Sequence, residues 1–248
     1  MKISIITATY NSSQTIIDTL RSLEEQTYQN IEYIIIDGAS KDNTLEIIKN
    51  NSSRVSIIIS EPDQGIYDAL NKGIKVSTGD VIGFLHSDDV FAYPEAIEDL
   101  VLMMQKNNTQ AVYADLDYVS KDNMEKIVRK WISGSYDRSK MKNGWMPPHP
   151  TFYMKKELYD KLGSFDTNLK ISADYDSLLR YLWVNSVSAS YLPKVVTKMR
   201  VGGASNRSFM NMLYKTKEDI TALNKNNISW MFPILIKNLS KVQQFIQR

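Results

Sequence analysis

The stretch FLHSDD, residues 84–89, ends an apolar run on two adjacent carboxylates, Asp88 and Asp89, with no basic residue beside them. Like charges side by side repel, so such a pair directly after a strand asks for a counter-charge. A hard, oxygen-seeking divalent cation would supply it, which makes Asp88 and Asp89 candidate ligands of Mn²⁺ or Mg²⁺. The bland alternative is a pair of solvated turn acids. Three other segments are rich in the same kind of group: TATYN (7–11), DGASKD (37–42) and EPDQG (61–65). Hydroxyls and amides suit a base, and carboxylates suit ribose hydroxyls. Thr7, Thr9, Asn11, Asp37, Ser40, Asp42 and Ser87 are therefore candidate contacts to a nucleoside. Asp37 and Asp42 are equally placed to serve as turn and helix-cap residues. No G-x-G-x-x-G follows the first strand and no G-x-x-x-x-G-K-[ST] occurs, so dinucleotide and P-loop readings lose their main support.

These residues share a position. Ile3–Thr7, Ile31–Ile36, Val55–Ile59 and Val81–Leu85 are nearly continuous apolar runs, as expected of strands buried on both faces of a parallel sheet. Between them, Ile16, Leu20 and Leu23, then Leu45 and Ile48, then Leu70 and Ile74 mark three helices. The pattern β-α-β-α-β-α-β predicts an α/β fold with a mostly parallel central sheet flanked by helices. Ligands in such sheets bind beyond the carboxyl ends of the strands, where all the segments above fall. The second half is less regular. Residues 111–119 and 126–132 read as strands, 146–154 as a Pro-rich turn entering another, and 172–184 as a helix. Two short strands, 189–192 and 195–199, precede Gly202-Gly203, a candidate hinge.

Composition bounds the class. The chain has 248 residues, no cysteine and a net charge of +2. Disulfides and thiolate metal sites are excluded, a reducing cytosol fits, and no global basicity argues for nucleic acid. No apolar run reaches the roughly 20 residues of a membrane span, and MKISIITATYN turns polar too early for a signal peptide. The charge is uneven: residues from Lys194 onward carry ten Lys/Arg against Glu218 and Asp219. Residues 206–248 read as a basic helical tail, in which Met231, Leu235, Leu239, Val242 and Ile246 line one face. Such a helix either lies on an anionic membrane, through 228–248, or packs on the domain or in a homodimer.

The ordered set T-A-T-Y-N, D-G-A-S-K-D, D-Q-G-I-Y-D-A-L-N-K-G and H-S-D-D resembles the family 2 glycosyltransferases, more narrowly the bacterial polysaccharide-building members. The match runs from Met1 to about Gly203. The resemblance implies the nucleotide-diphospho-sugar transferase (GT-A) fold over residues 1–205, with a nucleotide-binding half, 1–90, and an acceptor-side half, 91–205. It implies an inverting, metal-dependent transfer of a hexosyl or N-acetylhexosaminyl group from a nucleotide-sugar donor, UDP by family preference. The acceptor would be a hydroxyl of a glycan or a polyprenol-linked saccharide, and the location cytoplasmic or peripheral on the inner membrane face. Asp88 falls on the acid that holds the metal, and Asp89 is a second ligand or orients the first. His86 stands where the commoner motif has an acid, which leaves ribose contact, metal contact and packing all open to it.

By the same resemblance Asp68, Asn71 and Lys72 border the diphosphate and donor sugar; read by spacing alone, Asp68 and Lys72 are an i,i+4 ion pair. Asp174, in I-S-A-D-Y-D, falls on the family's catalytic base, although Ala173 replaces the usual preceding Glu; read alone it is a helix cap. Asp176 and Arg180 are spaced for a structural ion pair. His149, held between prolines, and Arg200, beside the Gly202-Gly203-Ala204-Ser205 stretch read as a lid, fall on the acceptor side. Two other classes stand beside this one. A nucleotidyltransferase would carry a Gly-rich basic loop after strand one, which TATYNSSQT lacks. A non-catalytic nucleotide-sugar-binding protein would show no metal-dependent turnover.

Overall fold

A computed structural model describes residues 1–202, 209–231 and 233–234. Its β-branched runs form strands Ile3–Thr9 (β1), Ile31–Asp37 (β2), Val55–Ser60 (β3) and Val81–Phe84 (β4). Helices Ile16–Glu24 (α1), Thr44–Asn51 (α2) and Ile66–Val76 (α3) alternate with them as the periodicity predicts. The order β3-β2-β1-β4 is parallel throughout, so all four strands end at one edge. One expectation fails in detail. β3 alternates between half-buried and exposed residues, with Ile58 36% exposed, because it is the edge strand and covers only one face.

The remaining strands are Asp89–Phe91 (β5), Ala111–Val119 (β6), Ile127–Trp131 (β7), Tyr153–Lys155 (β8) and Ala189–Arg200 (β9). They continue the sheet as β4-β8-β6-β9-β5, with β7 pairing on β6. Here the sheet is mixed: β8 runs antiparallel to both neighbours, β6 and β9 are parallel, and β5 and β7 are antiparallel. The two short strands expected at 189–199 are one strand. Its register slips opposite Ala114–Leu116, next to Pro193, which has no N–H to give to a ladder.

Helices Ala96–Lys106 (α4) and Lys156–Leu162 (α5) are additional to the expected elements. The helix expected over 172–184 is Ala173–Leu178 (α6), continued by a wider π-type segment, Leu179–Val184. Phe209–Lys225 (α7) packs back on the domain, burying Ala222 and Leu223. Leu235, Leu239, Val242 and Ile246, the face expected of the basic tail, lie outside the described residues, as do residues 203–205 of the expected lid.

Two apolar layers sandwich the sheet. Ile6, Ile34, Ile36 and Phe84 face Leu70, Leu158 and Leu178, while Ile3, Ile5, Ile35 and Leu85 face Leu20 and Leu100. Gly73 lets α3 lie close on β1, since a Cβ there would run into the Ile6 side chain. That contact fixes the helix whose first turn borders the site.

Candidate active site

The carboxyl ends of β1 and β4 open on a cleft of about 750 Å³. Thr9, Asn11, Ser87 and Asp88 line it, with Asp63 on one side and Lys121 and Arg200 on the other. Its walls are stitched by hydrogen bonds between loops. Asn11, at φ 50°, donates its backbone N–H to Ser40 Oγ (2.8 Å) and accepts the Lys41 N–H on Oδ1 (2.8 Å). Ser12 and Ser87 share a hydroxyl contact of 2.9 Å, and Thr15 donates to the Ser87 carbonyl at 2.9 Å.

Several of the residues expected to touch a nucleotide build this frame instead of facing the cleft. Thr7 is fully buried, one pleat below Thr9, and bonds the Leu85 carbonyl and the Tyr33 hydroxyl. Asp37, also fully buried, accepts from the Ser40 hydroxyl and N–H (3.0 Å) and from Ser60 Oγ (2.7 Å), joining the loops after β2 and β3. Asp42 accepts from the Thr44 hydroxyl and N–H and from the Ser13 N–H, which holds its carboxyl down to about 2. It ties the start of α2 to the loop before α1 from one residue outside the N-cap, which is Asn43 and not Asp42 as the cap expectation had it.

On α3, Asn71 exchanges two hydrogen bonds of 2.9 Å with the backbone of Phe165. Lys72 pairs with Glu61 at 2.8 Å, which raises its pKa, and lies 3.7 Å from Asp68. Asp68 in turn accepts the Gln64 N–H at 3.0 Å. The face these three residues share thus serves local partners. The acid of that segment that reaches the cleft, beside Gly65, Ile66 and Ala69, is Asp63, whose Oδ1 takes the Gly65 N–H at 2.8 Å. Gly38 makes room for it: a Cβ at 38 would lie 2.5 Å from Asp63 Oδ2. Spacing on the helix could not have found Asp63, which precedes the helix.

The H-S-D-D turn divides its two acids. Asp88 is half-buried and lines the cleft. Asp89 begins β5 and is fully buried, with no hydrogen bond to either carboxylate oxygen. Burial, then the charge of Asp88, push its pKa well up, while the charge of Arg200 partly offsets this. Asp89 therefore stands behind the donor pocket instead of in it. Arg200 is likewise no mobile lid residue: it is a buried residue of β9 whose guanidinium pairs with Asp18 and donates to the Asp88 carbonyl at 3.0 Å.

Asp174 lies at the start of α6, where its Oδ1 accepts the Tyr175 N–H (2.8 Å) and the Tyr67 hydroxyl (3.2 Å). Tyr67, in the first turn of α3, was not singled out by spacing; burial and then the charge of Asp174 raise its pKa. Tyr67 in turn meets the histidines through Phe165, whose ring lies 5.5 Å from Tyr67 and 5.2 Å from His149. His86 and His149 stack at 6.2 Å, and His149 stacks on Phe84 at 4.9 Å. Burial lowers the pKa of His86 against the pull of Asp88 and Asp174, and Nδ1 of its half-buried ring has no hydrogen-bond partner.

Burial lowers His149 to about 4 against the pull of Asp174. His149 is packed in the wall and does not line the cleft. This has a consequence for stability. Between the unfolded value, about 6.5, and about 4, the unfolded chain takes up a proton that the folded chain refuses. Stability should fall as pH drops through that window, by at most about 3 kcal/mol, and level off below it. His149→Phe should flatten that part of the curve, which urea midpoints measured against pH would show.

Could these groups hold a divalent ion? Among the described residues, no three His, Cys, Asp or Glu side chains converge. The chain offers Asp88 at the cleft, backed by the orphaned carboxylate of Asp89. Such a short donor set fits Mg²⁺ or Mn²⁺, which keep water and substrate phosphate as ligands, and does not fit an all-protein cage.

Known proteins share this fold. A glycosyltransferase of Haemophilus influenzae, itself uncharacterized, is 33% identical over 186 residues, which is 73% of this chain and 62% of that protein. The S. aureus TarS 1-349 structure in complex with UDP-GlcNAc superposes with a TM-score of 0.73 at 18% identity, covering 100% of this chain and 73% of that one. The mannosyltransferase PcManGT of Pyrobaculum calidifontis, in complex with GDP-Man and Mn²⁺, gives 0.68 at 17%, covering 99% of this chain and 69% of that one. These likenesses give the fold, the GT-A fold of the glycosyltransferases. Residues 4–165, more than half of the chain, match the family model described as Glycosyl transferase family 2, and the chain belongs to that family.

Proposed function

We propose that this chain transfers a sugar, with inversion at the anomeric carbon, from a nucleoside-diphosphate donor to an acceptor hydroxyl. The observation that carries the reading is Asp88, open to the cleft, with Asp174 held 3.2 Å from the hydroxyl of Tyr67, the residue next to Ile66 in the wall of the same cleft. Thr9, Asn11 and Asp63 would meet the nucleoside, and Ser87 and Asp88 the diphosphate end of the donor. A divalent cation, Mn²⁺ or Mg²⁺, would supply charge neutralisation to the departing diphosphate, held by Asp88 with Asp89 behind it. Asp174 would accept the proton of the acceptor hydroxyl, with Tyr67 orienting its carboxylate.

UDP is the favoured nucleotide and a hexosyl or N-acetylhexosaminyl group the favoured cargo, in keeping with the UDP-GlcNAc bound by TarS. The acceptor would be a glycan or polyprenol-linked saccharide of a bacterial surface polymer. Among the described residues no helix is long and apolar enough to cross a membrane.

The acceptor face would continue from Asp89 across the sheet. Asp89 pairs with Met199, Met199 with Tyr118, and Tyr118 with Arg129, so these four side chains form one row. Trp131 stacks beside the Tyr118 ring at 6.3 Å and 5°. Aromatic planes suit the apolar face of a pyranose ring. Trp131→Ala should raise the acceptor KM about tenfold, a stacking contribution of ~1.4 kcal/mol, with the donor KM not following.

The reading is tested by incubating the protein with a panel of nucleotide sugars and following the product by proton NMR. Release of a nucleoside diphosphate with a product of inverted anomeric configuration is the expected result. A retained configuration, or no metal-dependent nucleotide binding and no release from any donor, would overturn it.

A further inference from the structure

Three consecutive backbone N–H groups just before α6 converge on one carboxylate. Lys170 N donates to Glu218 Oε1 at 2.8 Å, and Ile171 N and Ser172 N donate to Oε2 at 2.8 and 2.9 Å. Glu218 belongs to α7 and is only 6% exposed. The same segment is gripped from its other side, where the Tyr67 hydroxyl bonds the Ile171 carbonyl at 2.8 Å and Asp174 Oδ1 at 3.2 Å. The peptide leading to Asp174 is therefore fixed through its N–H groups by α7 and through its carbonyl by α3.

A helix that merely covered the core would do so with apolar side chains, as α7 does at Ala222 and Leu223. A buried carboxylate is instead costly unless its oxygens are satisfied, and here charge-assisted bonds satisfy both. These three amides precede the first residue of α6, in a turn that runs from exposed Lys170 to buried Ser172, and have no partner within that helix. Two further bonds hold the end of α7 there: Asn226, just past the helix, donates from Nδ2 to Asp176 Oδ1 of α6 at 3.0 Å, and Lys225 pairs with Asp166.

We propose that Glu218 is a positioning residue for Asp174, so that the C-terminal helix, beyond the family-matched residues 4–165, completes the catalytic site. The proposal rests on the reading of Asp174 as the base. Glu218 would act on the reaction only through the place it gives Asp174. Misplacement of a reacting group by about 1 Å can slow a reaction on the order of 10²-fold.

The test is Glu218→Gln, alone and combined with Asp174→Asn. A glutamine presents one acceptor oxygen and an NH₂ that cannot accept, so at least one of the three amides loses its partner. Alone, the substitution should lower kcat about 10- to 100-fold, leave the donor KM and UDP affinity unchanged, and speed hydrogen exchange at residues 170–172. On the Asp174→Asn background it should lower turnover little further, because the group it positions is gone. An unchanged kcat, a parallel loss of UDP affinity, or an equal loss on both backgrounds would overturn the proposal. If Glu218→Gln fails to fold, Glu218→Asp, which keeps the charge on a shorter stem, replaces it with the same outcomes. Should Asp174→Asn itself keep full turnover, the base assignment falls, whereas exchange at 170–172 still reports whether the clamp exists.

Discussion

Asp174→Asn is expected to lower kcat by about 10³-fold while UDP binds as before. General base catalysis by a placed carboxylate contributes on the order of 10²–10⁴, and asparagine cannot take the proton. The substitution is otherwise mild. Its amide oxygen can still accept the Tyr175 N–H and the Tyr67 hydroxyl, so the turn into α6 keeps both bonds. Asp174 does not line the donor cleft, and nucleotide affinity has no reason to change. The measurement is initial rates of nucleoside diphosphate release beside calorimetric UDP titration. Turnover within a few-fold of the parent would remove Asp174 from the chemistry.

The second large effect belongs to Asp88→Asn. Its side chain faces the cleft, while its backbone carbonyl is held by Arg200. The turn should survive, and only the charge that would hold the metal is removed. Loss of one element of leaving-group stabilisation lowers kcat on the order of 10²–10³-fold. UDP affinity, which Mn²⁺ should raise in the parent, should become insensitive to it. Stability should move the other way. Asp88 raises the pKa of its buried neighbour Asp89, so neutralising Asp88 relieves that repulsion. In EDTA the variant should melt no lower than the parent, a combination that a residue important only for folding would not give.

The first half of the fold was readable because its information is local. β-Branched runs marked β1 to β4, helical spacing marked α1 to α3, and the strand-end rule led to Asp88, Thr9, Asn11 and Ser87 in one cleft. The same rule overreached where it ignored depth. Thr7 lies one pleat too far down the strand, and Asp37 is enclosed by Ser40 and Ser60. Helix-face spacing grouped Asp68, Asn71 and Lys72 correctly but said nothing of which way that face turns; Glu61 and the Phe165 backbone decide it. The mixed second half depends on long-range pairings, such as β6 with β9 and β8 between β4 and β6, that no single strand pattern encodes. Tyr67 meets Asp174 across 107 residues, and Glu218 meets Ser172 across 46. Nothing in either segment announces the other.

The most direct test of the account is a metal titration of UDP binding by calorimetry, run on the parent protein and on Asp88→Asn. A transferase that holds its donor through a cation at Asp88 should bind UDP at least tenfold more tightly with Mn²⁺ than with EDTA, and lose that difference in the variant. UDP binding that ignores Mn²⁺ in the parent, or that responds equally in both proteins, would contradict it.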